Sequence, residues 1–331
     1  MQIISSLKSL DGAQESWFIQ NILFQGTPYS TEFDPIKSAS NTVVYLELFE
    51  IDLGLINNMK AAGKKVVLYH MGDERADKNI AAYDNCDLII RNYFFPEILN
   101  KSKLKNKIIW APNGYKTGVG PRKSHTLQAI ASRQYLSCFL GWLSNSASFN
   151  GERALFSEVA AAWNGSHKRR TKNVLGWLDY YLSLSKEYLS FAKVAPRCKE
   201  DLHLLSSSGF SNGYKVGPYS AVMEESVFAP CPAGNSPETI RLYDALECGC
   251  IPISLDYAFL NSSDGLAEFG QPPFPILSSW DHLPTFLEKM KHTLLTNPAE
   301  IQKMQDDCIV WWGNYKKHIA LKIAHRIESL N

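Results

Sequence analysis

Two doubly wound α/β domains, each on a mainly parallel sheet, are what this 331-residue sequence predicts. Three observations lead there. The length exceeds what one core usually organises, so two domains are expected. Short apolar runs alternate with amphipathic or polar segments through the first third, the β-then-α rhythm of a parallel sheet with crossovers. The same rhythm resumes after a break rich in glycine, proline and charge, Pro112 to His125.

In chain order, the first domain has strand-like runs in "TVVYLELF" from Thr42, "KKVVLYHMG" from Lys64, "CDLIIRNYF" from Cys86 and "KIIWAPNGY" from Lys107. Between them, "EIDLGLINNMKAAG" and "DERADKNIAAYDN" read as helical crossovers. After the break, a helical stretch through Ala131 leads to a strand in "SCFLGWLS" from Ser137. A helix near Arg153 to Trp163 and a helical tract around Val174 to Leu189 follow. A strand in "FPILSS" and helices from Ser279 onward complete the chain. The predicted division is 1–133, 134–315, and a C-terminal helix, 316–331, whose Ile319, Ile323 and Ile327 recur at four-residue steps and pack back on the first domain. Two such sheets would direct the carboxyl ends of their strands to a shared cleft, where ligands of doubly wound sheets bind.

Lysine and arginine total 34 against 33 acids, a formal charge of +1, so there is no general electrostatic case for nucleic acid. "HKRR", His167 to Arg170, is a local exception that reads first as a solvated basic turn and second as a contact for an anionic acceptor or membrane surface. The seven cysteines are scattered and lack the paired spacing of a zinc knuckle, which predicts reduced thiols. No apolar run reaches bilayer length. A cytoplasmic protein without a transmembrane segment is expected, with room for peripheral membrane contact. Two glycosylation-type triplets, at Asn164 and Asn261, are of a kind that arises by chance.

The densest local grammar lies in "FAPCPAGNSPETIRLYDALECGCIPISLD", Phe228 to Asp256. Ser236 is placed to cap a helix, Pro237 to occupy its first position, Glu238 to sit at its positive end and Gly249 to stop it. The unit is therefore strand, tight turn, helix, strand. A helix start after a glycine-containing turn offers free amides to an anion. Arg241 could add a cationic fork for a diphosphate, and Asp244, three residues on, could accept from ribose hydroxyls or hold Arg241. From spacing alone, the first reading is a capped helix with an Arg/Asp pair, which is common in any α/β protein.

This segment resembles the exostosin-like glycosyltransferases through Phe228, Pro232 with Gly234, Arg241, an acidic residue three positions on, and Gly249 to Pro252. The acid is Asp244 where many members have Glu. "LYHMGDERADKNIAAYDNCDLIIRNYF" and "APNGYKTGVG" are similar to the branch containing the ribitol xylosyltransferases, and "SRQYLSCFLGWLSNSASFNGERALFSEV" is similar to the start of the family's second domain, bringing in Gly141 and Arg153.

The resemblance implies a GT-B fold, two Rossmann-like domains with the sugar nucleotide held by the second and the acceptor by the first. It implies transfer of a hexosyl or pentosyl group from a nucleotide sugar, UDP-sugar favoured, to a glycan or glycolipid hydroxyl, as in polysaccharide biosynthesis. Gly141, Arg153, Pro232, Gly234, Asn235, Ser236, Glu238, Thr239, Arg241 and Asp244 are the donor-site candidates, with Arg133 a further cation for the diphosphate. No Asp-x-Asp triplet occurs, so no metal is expected. A single inverting displacement needs one base. "HMGDER" puts His70, Asp73 and Glu74 at the carboxyl end of a strand, with Asp73 or Glu74 the first choice, His70 behind, and a helix-start carboxylate pair the alternative reading. Gly114, Tyr115 and Lys116 are candidates for an acceptor loop. Competing functions are a sugar-nucleotide epimerase of the same fold and a non-catalytic carbohydrate-binding protein.

Overall fold

The computed structural model describes residues 1–5, 13–30, 39–48, 50–145, 147–163, 168–169, 202–207 and 214–331. The expected helical tract at 174–189, Cys198, Asn164, and His167 and Arg170 of the basic run lie outside the described residues. The chain divides into two compact units. The first comprises Met1–Thr117, Tyr257–Pro272 and Gly313–Asn331, and the second Gly118–Asp256 and Pro273–Trp312.

The first unit holds β1 (Gln2–Ser5), β2 (Tyr29–Ser30), β3 (Thr42–Glu47), β4 (Lys65–His70), β5 (Leu88–Arg91) and β6 (Ile108–Trp110), ordered β2-β1-β3-β4-β5-β6 with parallel pairing. Val43, Val44, Val66, Val67, Leu88 and Ile89 are fully buried, as strands covered on both faces require. Helix α1 (Leu53–Ala61) starts where Asp52 accepts from the Leu55 amide at 2.9 Å, and packs through Ile56 and Met59.

The expected helix in "DERADKNIAAYDN" is reduced to a 3-10 turn, Ala81–Asn85. Its beginning is diverted because Asp73 Oδ1 accepts from the amides of Asp77 (3.0 Å) and Lys78 (3.1 Å), and Ala76 takes a positive φ of 55°. A short acidic side chain bonding its own neighbouring backbone competes with helix formation.

The second unit holds β7 (Tyr135–Gly141), β8 (Lys168–Arg169), β9 (His203–Ser206), β10 (Ser226–Pro230), β11 (Ile251–Leu255) and β12 (Ile276–Leu277), ordered β12-β11-β10-β7-β9-β8, again parallel. Its helices are α2 (Glu152–Trp163), α3 (Val216–Glu224), α4 (Ile240–Glu247), α5 (Leu283–Thr296) and the start of α6 (Pro298–Glu328). From Gly313 onward α6 belongs to the first unit, where Ile319, Ile323 and Ile327 are buried, Lys322 pairs with Glu268 at 2.6 Å, and Arg326 donates to the Asn106 carbonyl. Among the described residues no helix is long and apolar enough to cross a membrane. The six described cysteines are buried and unbridged.

The expected helix through Ala131 is instead two 3-10 turns, Ser124–Thr126 and Ile130–Ser132. Arg133, which follows them, is 6% exposed and anchors this stretch to the second unit. Its Nη1 donates to the carbonyls of Ser226 (2.6 Å) and Met223 (3.2 Å), its Nη2 to those of Gln128 (3.1 Å) and Cys248 (3.2 Å), and its Nε to Gln128 (3.2 Å). Met223 and Cys248 end α3 and α4, where carbonyls lack helical donors. Gly249 stops α4 as expected, at φ 64°, and a Cβ there would stand 3.1 Å from Arg133 Nη2 and 3.0 Å from Leu127.

Arg133→Met keeps the apolar stem but strands these carbonyls, so a loss on the order of 3 kcal/mol is expected in urea unfolding of the second unit. A loss below about 1 kcal/mol would mean that water replaces the guanidinium without cost.

Candidate functional site

In the second sheet the chain leaves β7 toward β9 and β8 on one side, then builds β10, β11 and β12 on the other. The order therefore reverses between neighbours β7 and β10, and their carboxyl ends form the topological switch point at which open α/β sheets bind ligands. Gly141 ends β7, and the loop from Cys231 to Thr239 follows β10.

The floor of this site is an aromatic column. Trp280 packs edge-on against Phe156 (centroids 5.1 Å apart) and Phe156 against Phe139 (5.0 Å), the ring two residues before Gly141. The guanidinium carbon of Arg241 lies 4.2 Å from the Phe139 centroid and that of Arg153 5.1 Å from it. Desolvated cation–π contacts of this kind contribute roughly 2 kcal/mol. Arg241, in the first turn of α4, is 7% exposed, and its Nη2 donates to the Leu140 carbonyl. A Cβ on Gly141 would collide with that same Nη2, so β7 has to end in glycine for the guanidinium to seat. Arg241 Nε is buried with no hydrogen-bond partner among the described residues.

Arg153, the second residue of α2, is 6% exposed and donates through Nε to the Ala233 carbonyl (2.7 Å) and through Nη1 to that of Trp142 (3.4 Å). The Phe149 amide donates to the Gly234 carbonyl (2.7 Å), and Asn145 Nδ2 to Asn235 Oδ1 (3.3 Å). Pro232 is buried, while the Cα of Gly234 faces open space within 4 Å. The start of α2 and the loop after β10 thus bring Gly141, Arg153, Pro232, Gly234, Asn235 and Arg241 to one place.

The expected helix start at Ser236 is corrected: α4 begins at Ile240, with Thr239 in the cap position. Ser236 Oγ accepts from the Glu238 amide two residues on (3.2 Å), and the Glu238 carboxylate accepts from the Tyr243 hydroxyl (2.8 Å), so the segment is held as a loop. Thr239 makes no side-chain cap, so no side chain satisfies the first amides of α4 from that position. Asp244 is not on the open side; it is fully buried and its Oδ2 accepts from the Tyr219 hydroxyl of α3 at 2.8 Å. Arg133 as a diphosphate cation is also corrected, because its donors are committed to helix-end carbonyls.

The first unit carries a second polar cluster. Glu47, His70 and Arg91 are neighbours in register across the carboxyl ends of β3, β4 and β5, and all are buried. Arg91 is fully enclosed, paired with Asp73 Oδ2 at 3.2 Å and donating to the carbonyls of Asp73, Asn92 and Tyr93. Asp73 is 1% exposed, whereas Glu74 is half-buried and its Oε1 accepts from Tyr93 (3.3 Å). His70 Nδ1 lies 2.7 Å from the Tyr83 hydroxyl, which also accepts from Arg91 Nη1 at 3.4 Å.

The Tyr83 hydroxyl is shared between His70 Nδ1 and Arg91, while His70 Nε2 is buried with no hydrogen-bond partner among the described residues. Burial, which keeps the Tyr83 phenol up at about 12, also pushes His70 down to about 4, with the Arg91 charge adding to the fall against the pull of Asp73 and Glu47. At neutral pH the His70 imidazole is therefore neutral.

In the proposed acceptor loop, Tyr115 is fully buried against Trp17 (5.9 Å) and Phe18 (5.2 Å). Gly114, at φ 76°, has the Phe18 ring where a Cβ would be, and Lys116 is partly exposed. Sequence reasoning missed Phe139, Arg91, Glu152 and Trp280. An arginine closing the apolar run of β5 was a usable signal; an aromatic inside a buried strand was not.

Residues 211–330 match the family described as RXYLT1 C-terminal domain. Ribitol-5-phosphate xylosyltransferase 1 of Homo sapiens is 28% identical over 121 residues, 34% of this chain and 27% of the human protein, so the chain matches little more than a quarter of that relative's length. The crystal structure of Anabaena HepE in complex with UDP is 10% identical, with a TM-score of 0.53 over 99% of this chain and 100% of that one. A glycosyltransferase from Rickettsia africae ESF-5 gives a TM-score of 0.48 at 9% identity, over 97% of this chain and 96% of that one. The fold is GT-B, with two Rossmann-like units. The exostosin-like resemblance, in its ribitol xylosyltransferase branch, is borne out over residues 211–330, which match the model of the RXYLT1 C-terminal domain.

Proposed function

We propose that this chain is a glycosyltransferase that takes a sugar from a UDP-sugar and transfers it, with inversion and without a metal ion, to a glycan or glycolipid hydroxyl. The observation that carries the reading is Arg241: a buried guanidinium at a topological switch point, seated on Phe139, with Nε unpartnered, inside the segment that matches the family. UDP is the first nucleotide to test because HepE was solved with it, and UDP-xylose the first donor because the human relative is named for xylosyl transfer.

In the proposed reaction an acceptor oxygen attacks the anomeric carbon, the bond from that carbon to the diphosphate oxygen breaks, and the hydroxyl proton passes to a base. Negative charge grows on the leaving diphosphate, and Arg241, Arg153 and the start of α4 supply the positive field to stabilise it. Protein cations in that role remove the need for a divalent ion. Ser236, Glu238 and Thr239 shape the approach to α4, and Asp244 holds α4 through Tyr219. Glu74 is the proposed base, since Asp73 is bound to Arg91 and His70 Nδ1 is engaged with the Tyr83 hydroxyl. The six described thiols, all unbridged, fit a reducing, cytoplasmic setting.

Calorimetry should find UDP binding that EDTA leaves unchanged and that Arg241→Ala weakens by about 1.5 to 3 kcal/mol, the worth of a charge-assisted contact. Equal affinity in a folded mutant, or loss with EDTA, would contradict the donor site or its metal independence respectively. Glu74→Gln should abolish consumption of UDP-xylose in the presence of acceptor while leaving UDP affinity intact, and retained turnover would remove Glu74 as the base.

His70 makes a separate prediction. Its folded pKa lies near 4, below the unfolded value of about 6.5, so stability is fully present above pH 6.5 and falls as pH drops toward 4. Wild type should lose on the order of 3 kcal/mol over that window relative to His70→Gln. Parallel pH profiles would show that the imidazole is not held neutral by the fold.

A further inference from the structure

The loop that follows β10 is held at Ala233 by side chains from outside the loop. The dipeptide Glu152-Arg153, at the start of α2, takes both backbone polar groups of a single residue in it: Glu152 Oε1 accepts from the Ala233 amide at 2.8 Å, and Arg153 Nε donates to the Ala233 carbonyl at 2.7 Å. These are the two hydrogen bonds a neighbouring strand would make, here supplied by side chains. The same Glu152 oxygen accepts from the Trp280 indole nitrogen at 2.7 Å, and Glu152 is 5% exposed. A carboxylate removed from water needs such donors, and two of them fix its position. Its second donor comes from the column under the site, since Trp280 packs edge-on against Phe156 and Phe156 against Phe139, which carries Arg241. Glu152 therefore ties the loop carrying Gly234 and the aromatic floor carrying Arg241 to one oxygen atom.

We propose that Glu152 is a positioning residue of the nucleotide site: through the Ala233 amide it sets the height of the 232–235 loop relative to Arg241, so that the diphosphate of a nucleoside diphosphate meets both at once. This rests on the reading of the site as a UDP-sugar site. The role depends on reach and on an accepting oxygen, not on charge. Glutamine preserves both reach and acceptor, whereas aspartate preserves the charge but is one methylene too short to bridge Ala233 and Trp280.

The test uses the full chain with UDP as the probe, comparing wild type, Glu152→Gln and Glu152→Asp, with folding checked by circular dichroism. Two quantities are read: amide exchange across 231–239 without nucleotide, and UDP affinity. The expected result is that Glu152→Asp exchanges faster at Ala233 and binds UDP at least about tenfold more weakly, while Glu152→Gln stays within about threefold of wild type in both. The reverse order, with Gln weak and Asp normal, would make the charge the active property and overturn the positioning role. So would faster exchange in Asp with unchanged affinity, or no change in either variant. Wild type that binds no UDP would overturn the donor reading together with this role, whereas wild type that binds while both variants match it removes only the role of Glu152.

Discussion

A guanidinium enclosed by protein has to find acceptors for five N–H groups, and three enclosed arginines, Arg133, Arg91 and Arg241, solve that problem differently. Arg133 spends its donors on the carbonyl ends of α3 and α4, which fastens residues ahead of β7 to the far end of the helices. Arg91 spends them on Asp73 and neighbouring carbonyls at the carboxyl edge of the first sheet. Arg241 has an accepting carbonyl at Leu140 and an aromatic face beneath it, and its Nε remains unpartnered among the described residues. Arg133 and Arg91 have a partner at every guanidinium nitrogen and stabilise the fold, whereas Arg241 is seated with its Nε left over. It is the one at the switch point of its sheet, where a charged ligand could complete it.

The fold was legible in the sequence because parallel strands buried on both faces leave short apolar runs, and those of β3, β4, β5, β6, β7, β10 and β11 all fall where such runs stand. Gly249 was legible too, because the left-handed residue after a helix has a strong chemical preference. What failed was local competition. Ser236 has the composition of a helix cap, but its hydroxyl turns to the Glu238 amide and the helix starts four residues later. Asp73 has the composition of a helix start, yet it folds its own backbone and pairs with Arg91 across the sheet. Sequence spacing cannot separate these cases, because the winning partner comes from another strand or from the next turn of the loop.

The candidate site was half legible for the same reason. Arg241 and Gly141 carry distinct chemistry and were found, but the reason Gly141 has to be glycine is the guanidinium of Arg241, some hundred residues away in the chain. Phe139 looks like any core residue of β7 until two arginines are placed beside its ring. Asp244, which sequence spacing offers as a ribose ligand, is drawn inward by the Tyr219 hydroxyl; burial and the Asp244 charge hold that phenol well above its ordinary range, so it remains a donor.

The segment that matches a family, 211–330, supplies the loop after β10, α4 and Trp280, but not the surface they rest on. Phe139, Gly141, Glu152 and Arg153 come from 139–153, upstream of the match, and without them Arg241 would lose both its aromatic seat and the carbonyl at Leu140. A switch point necessarily draws on two strands made at different times in the chain, because adjacency in the sheet replaces adjacency in sequence. Recognition of one segment therefore locates the cation, while the geometry that makes the cation usable is contributed by the other. The Glu152-Arg153 pair shows that dependence directly: two consecutive side chains upstream of the family match hold the backbone N–H and C=O of one residue within it.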